Sequence, residues 1–67
     1  MQRYTLRQWR KLNDKTMQEM ADFLDISTKT YAHMEKNIRK AKLEKVILAA
    51  RLLGINTEQI KTEEDGK

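Results

Sequence analysis

The chain has 67 residues, a formal net charge of +4, and neither cysteine nor proline. A chain this short forms one small domain, and without cysteine it has no disulfide and no cysteine ligands for a structural zinc site. The longest apolar run, residues 46–50, is too short to cross a bilayer, and no signal peptide is visible. We therefore expect a cytoplasmic protein without membrane contact, and its residue composition favours helices.

The first part of the chain predicts two helices. Thr5 is a suitable N-cap for a first helix that runs to about residue 13. Thr16 is a suitable N-cap for a second helix, because Glu19 three residues later completes a capping box. The residues expected to face the core are Leu6, Trp9 and Leu12 in the first helix and Met17, Met20, Ala21, Phe23 and Leu24 in the second.

Two further helices and a short turn follow. The segment 25–27 interrupts the apolar periodicity, and Ser27 is a suitable N-cap for a third helix over 28–36 that ends at Asn37. After a link over 37–41, a fourth helix is predicted over about 42–53, with Gly54 as its left-handed C-cap. Its inward positions are Leu43, Val46, Ile47, Ala50 and Leu53. A last short helical turn is predicted over 57–60, with Asn56 as its cap. The aromatic residues Tyr4, Trp9, Phe23 and Tyr31 are expected in the core.

Positive charge is concentrated in two blocks. Residues 1–12 carry four basic residues and no acidic one, and residues 36–45 carry five basic residues against Glu44 alone. Such blocks are consistent with a polyanionic partner and also with ordinary solvated helix faces. Charge alone does not decide between these interpretations.

The second and third predicted helices have the dimensions of a DNA-binding helix-turn-helix. One face of the third helix has no acidic residue and carries side chains suited to base edges. Lys29 can donate to guanine, Thr28 and His33 can donate or accept, and Ala32 is small enough to approach a thymine methyl. These four residues are the predicted base contacts.

In this order, the features resemble the Cro and phage-repressor type helix-turn-helix family, also called the XRE family. The resemblance covers about residues 5–60. The residues that carry it are Leu6-Arg7-x-x-Arg10, Thr16-Met17-Gln18-Glu19-Met20-Ala21, Ile26-Ser27-x-x-Thr30-Tyr31-x-x-Met34-Glu35 and Ala49-Ala50-Arg51-Leu52-Leu53-Gly54-Ile55. It implies an all-α, lambda-repressor-like domain of four helices and a short fifth over residues 1–60. The polar residues 61–67 are then expected to form a disordered tail.

The resemblance also implies a function. The domain would bind double-stranded operator DNA as a two-fold homodimer and act as a repressor or a Cro-like switch protein. Arg10 and Glu35 would form a structural ion pair between the first and third helices. The residues expected to contact phosphates are Thr16, Met17, Gln18, Ser27, Lys36, Asn37, Arg39, Lys40 and Lys42.

The sequence departs from the family pattern at several positions. Met17 stands where the family usually has glutamine, so either Gln18 takes over that phosphate contact or the contact is lost. Asp25 and Asn37 stand at the positions of two family glycines, and both residue types tolerate the left-handed backbone region. Ala41 replaces the usual proline before the fourth helix.

Two questions stay open at this point. Leu48 and Leu52 either thicken a small core or form a patch for a partner. The candidate residues for a dimer or partner patch are Leu48, Leu52, Ile55 and Ile60.

The alternative function is an antitoxin that binds a toxin and represses its own promoter. We expect no enzymatic activity, no metal, no cofactor and no small-molecule ligand, since His33 is the sole histidine and no glycine-rich phosphate loop is present.

Overall fold

The structure, a computed structural model, describes residues 3–62. Its elements are α1 (Leu6–Leu12), α2 (Met17–Leu24), α3 (Thr28–Lys36) and α4 (Leu43–Leu53), with 3-10 turns at Ile38–Lys40 and Thr57–Gln59. The predicted all-α class is confirmed. The link between α3 and α4, which the sequence left without structure, contains the first 3-10 turn. Among the described residues, no helix has the length and apolar character needed to span a membrane.

The helix starts follow from side-chain caps. Thr5 and Gln8 form a capping box at α1, and Thr16 and Glu19 form another at α2. At α2, the Glu19 N–H donates to Thr16 Oγ1 at 3.0 Å, and the Thr16 N–H donates to Glu19 Oε1 at 2.8 Å. This backbone hydrogen bond from Thr16 lowers the pKa of Glu19. Ser27 caps α3 by accepting from the Thr30 N–H at 3.0 Å. These local bonds satisfy helix-start N–H groups that otherwise lack acceptors.

Three helices end in the same way. After each of α1, α2 and α4, one residue adopts the left-handed backbone conformation. These residues are Asp14 (φ 55°), Asp25 (φ 58°) and Gly54 (φ 73°). The residue that follows donates its N–H back into the helix, as at Ile26 N to Ala21 O (3.0 Å) and Ile55 N to Ala50 O (2.9 Å). Asn37 differs, because its φ of −136° lies outside the left-handed region that its position in the family pattern suggested.

The core is formed by residues from all four helices. Its buried apolar members are Leu6, Met20, Ala21, Leu24, Tyr31, Met34, Ala49, Ala50, Leu53 and Ile60. Ile60 is only 2 % exposed, so it belongs to the core and not to the partner patch predicted from the sequence. Leu48, Leu52 and Ile55 are half-buried and pack against the core, which favours the interpretation that they add core volume.

Four residues expected in the core are instead exposed. They are Leu12 (62 % exposed), Phe23 (49 %), Leu43 (70 %) and Ile47 (38 %). The physical reason is the small size of the domain. A chain this short has too few elements to cover every apolar side of each helix, so those beyond the packed face stay in solvent.

The two ends of the described chain are joined. Tyr4 and Ile60 form an isolated parallel β-bridge, in which Tyr4 N donates to Gln59 O at 3.1 Å and Lys61 N donates to Tyr4 O at 2.7 Å. The Trp9 indole N–H also donates to Gln59 O at 2.8 Å. The bridge includes the first residue of the predicted tail, and residues 63–67 of that tail lie outside the described residues.

Candidate nucleic-acid interface

A buried ion pair fixes α3 against α1. Arg10 Nε donates to Glu35 Oε2 at 2.7 Å, and the two side chains are 8 % and 4 % exposed. Burial disfavours the charged guanidinium, but the hydrogen bond and charge of Glu35 outweigh this and raise the pKa of Arg10. Arg10 Nη1 also donates to Lys15 O at 3.0 Å, beyond the end of α1. The structure thus brings together the two residues that the family resemblance paired.

The same buried region includes Tyr31. Its side chain is fully buried, and neither its hydroxyl nor Glu35 Oε1 has a hydrogen-bond partner among the described residues. Burial, followed by the nearby Glu35 carboxylate, raises the pKa of Tyr31 well above its ordinary range. The single carboxylate of α3 is therefore turned inward, where Arg10 neutralises it.

The opposite side of α3 faces solvent. Tyr31 and Met34 are buried, and the exposed residues are Lys29, Thr30, His33 and Lys36. Of the four predicted base contacts, Lys29 and His33 are exposed, whereas Thr28 and Ala32 are half-buried at the margin of this face. Thr30 is also exposed, and its hydroxyl oxygen accepts a hydrogen bond from Ser27.

A polar chain connects α2 to the start of α3. Thr28 Oγ1 donates to Gln18 Oε1 at 2.8 Å, and Gln18 Nε2 donates to Asp22 Oδ1 at 2.8 Å. The Thr28 hydroxyl proton is thereby used within the protein. Asp22 is not among the site residues predicted from the sequence, although its position four residues after Gln18 on a helix was a usable signal.

The starts of α2 and α3 differ in whether the hydroxyl of the N-cap residue donates a hydrogen bond within the protein. The backbone N–H groups of Met17 and Gln18 have no acceptor among the described residues, while the Met17 side chain packs against the core. The Ser27 hydroxyl donates to Thr30 Oγ1 at 2.9 Å, so its proton is also used. Thr16 is exposed, and its hydroxyl accepts from Glu19 as the cap of α2.

The link after α3, residues 37–41, carries exposed positive charge, and its apolar residues pack against the core. Ile38 and Ala41 pack against the core, whereas the polar residues between and beside them are exposed: Lys36, Asn37, Arg39, Lys40 and Lys42. A cleft of about 370 Å³ separates this link from α3, and none of its lining residues is acidic. Lys45 also lines the cleft, and its Nζ donates to Leu24 O at the end of α2 at 2.8 Å.

Three features together suit a polyanion that also presents hydrogen-bonding edges. They are the exposed face of α3, the free N–H groups at the start of α2, and the basic link. The family model described as helix-turn-helix matches residues 6–60. No curated protein and no solved structure matches the chain significantly. Since the family match covers all four helices, the chain belongs to the Cro and phage-repressor type (XRE) helix-turn-helix family and is a DNA-binding transcription regulator of that type.

Proposed function

We propose that this protein is a sequence-specific repressor or Cro-like switch protein that binds a palindromic operator as a dimer. The observation that carries the proposal is the outward face of α3. Its exposed residues include Lys29, His33 and Lys36, and the single carboxylate of the helix, Glu35, is buried against Arg10. A helix that enters the major groove runs close to phosphates, so the absence of an exposed carboxylate favours this placement.

The hydrogen bonds define what each base contact can do. Lys29 is a free donor, suited to guanine O6 and N7. The Thr28 hydroxyl donates its hydrogen bond to Gln18 Oε1, so toward a base it acts as an acceptor, for the amino group of adenine or cytosine. His33 is exposed and can donate or accept, and the Ala32 methyl can meet a thymine methyl.

Phosphate contacts would come from two sides of α3. The exposed Lys36, Asn37, Arg39, Lys40 and Lys42 supply charge and donors from the link. On the other side, the backbone N–H groups of Met17 and Gln18 supply the positive end of the α2 dipole, beside the exposed cap Thr16. At Ser27 the hydroxyl is occupied by Thr30, so a phosphate contact there would use the backbone N–H.

The test is a comparison of Lys29→Ala with Arg39→Ala on duplexes selected from a random-sequence pool. Lys29→Ala should weaken binding to the selected site by about 1–3 kcal/mol and relax the preference at one base pair. Arg39→Ala should weaken binding to all sequences equally and lower the salt slope by about 1. Fluorescence anisotropy at several salt concentrations measures both effects.

Lys61→Ala is the matched control, because it removes one exposed lysine outside α2, α3 and the link. Its affinity should stay close to that of the unsubstituted protein. If both test variants behave like this control on every duplex, the proposed recognition surface is wrong.

A further inference from the structure

The helix α4 leaves an apolar stripe in solvent. Leu43 is 70 % exposed and Ile47 is 38 % exposed, although both side chains are large and aliphatic. Gly54 lies seven residues after Ile47 on the same side of the helix, and Ala50 between them is buried. At Gly54 the surface is open, since a Cβ there would meet nothing within 4 Å. Nothing in the DNA-contacting surface described above uses this stripe.

A groove adjoins the stripe and has opposite charges beside it. Its volume is about 480 Å³, and its lining is apolar at Ile47, Ala50 and Ile55 and polar at Asn56 and Thr57. Arg51 and Glu58 also line it, and neither side chain makes an ion pair within the described residues. The surface therefore combines exposed aliphatic groups, a recess that can receive them, and one unpaired charge of each sign.

We propose that this α4 surface is where a second copy of the chain docks. Leu43 and Ile47 of each copy would pack against the groove of the other, and Arg51 of each copy would face Glu58 of the other. The inference rests on the proposed function, since it assigns an interface to the dimer that a palindromic operator requires. It shares Ile55 with the patch predicted from the sequence, whereas Leu48 and Leu52 pack against the core and Ile60 is buried in it.

Self-complementarity favours a second copy over an unrelated partner. In a two-fold contact, residue i of one copy meets residue j of the other, and j meets i. A surface that carries both a cation and an anion around apolar groups satisfies this rule with itself. A partner chosen by charge alone would be expected to meet a surface of one sign.

The dimensions of the domain agree with direct contact between copies. Two recognition helices on successive turns of one DNA face are about 34 Å apart, so each lies about 17 Å from the two-fold axis. The domain measures 27 × 23 × 21 Å, so it reaches the axis if α3 lies toward the side of the body that faces away from the axis. The stripe also begins directly after Lys42, at the end of the link expected to contact phosphates.

The first test removes the apolar contact. Leu43→Lys combined with Ile47→Lys should raise the dimer dissociation constant by about 100-fold or more, because two aliphatic side chains lose their burial. Sedimentation velocity of the full chain without DNA measures this. Both residues are exposed in the single copy, so circular dichroism should show an unchanged helix content. Leu12→Lys is the matched control, since it places lysine at an exposed leucine of α1.

The second test reverses the charges. Arg51→Glu should raise the dimer dissociation constant by about tenfold, because like charges then face each other across the interface. Adding Glu58→Arg to the same chain should restore dimerisation, since the pair is re-formed with its signs exchanged. A merely structural role for Arg51 would give no such rescue.

These outcomes separate the interface from the proposed function. If the unsubstituted chain stays monomeric in solution and on a two-site duplex, or if the double lysine variant dimerises like the Leu12→Lys control, the α4 interface is wrong. Binding to a single half-site and its loss in Lys29→Ala would still be observed in that case if α3 contacts DNA. If half-site binding is absent while dimerisation responds as expected, the DNA-binding surface is wrong and the interface stands.

Discussion

At the scale of single residues, the ion pair between Arg10 and Glu35 determines how α3 sits on the domain. Moving two charges from water into the core costs several kcal/mol, and the short hydrogen bond between them offsets much of that cost. The pair also turns the α3 carboxylate away from the face expected to meet DNA. Its contribution is therefore as much to the orientation and surface charge of α3 as to stability.

Removal of one partner should be far more damaging than removal of both. Arg10→Ala leaves the Glu35 carboxylate buried without its cation, so we expect the free energy of unfolding to fall by about 3–5 kcal/mol. The combined change Arg10→Met and Glu35→Leu replaces both charges with apolar groups and should recover most of that loss. Urea denaturation followed by circular dichroism compares the two variants. Equal stability of the two variants would show that the buried charge is not the source of the loss.

At the scale of elements, the helices differ in the backbone conformation of the residue at which they end. Asp25 adopts φ 58° between α2 and α3, whereas Asn37 adopts φ −136° after α3. Side chains other than glycine pay a steric cost only in the first of these conformations. Both positions carry glycine in the family pattern, yet only the first has a backbone conformation that favours glycine.

Glycine should therefore have opposite effects at the two positions. Asp25→Gly should raise the free energy of unfolding by up to about 1 kcal/mol, because it relieves the left-handed strain. Asn37→Gly should lower it by about 0.5–1 kcal/mol, since glycine there only adds freedom to the unfolded chain. Thermal denaturation of both variants provides the comparison. A stabilising effect of equal size at Asn37 would contradict the backbone conformation described after α3.

The elements also show what the sequence could and could not predict. The caps at Thr5, Thr16 and Ser27 were predictable, because each depends on hydrogen bonds within one turn of the chain. The exposure of Leu43 and Ile47 was not, since their spacing fits an inward face and only the position of neighbouring elements decides their burial. The bond from Thr28 to Gln18 was equally hidden, because it joins two elements whose relative placement the sequence pattern does not specify.

At the scale of the whole molecule, the contact between the chain ends closes the domain. Ile60 is buried, its neighbour Gln59 accepts hydrogen bonds from Tyr4 and from the Trp9 indole, and the Tyr4 and Trp9 rings meet edge to face at 5.0 Å. These contacts connect α1 to the last 3-10 turn without passing through α2 and α3. The helices proposed to contact DNA are therefore supported by a frame made from both ends of the chain.

Because of this frame, the domain should unfold as one cooperative unit, and its stability should depend on Ile60. Ile60→Ala should lower the free energy of unfolding by about 2–5 kcal/mol, because it opens a cavity in the core beside the last turn. Leu12→Ala is the control, and as an exposed substitution it should change stability by about 0.5 kcal/mol or less. Urea titration followed by both Trp9 fluorescence and far-ultraviolet circular dichroism should give coincident transitions. If the Trp9 signal changes at a lower urea concentration than the helical signal, the chain ends open separately and the frame does not support α2 and α3.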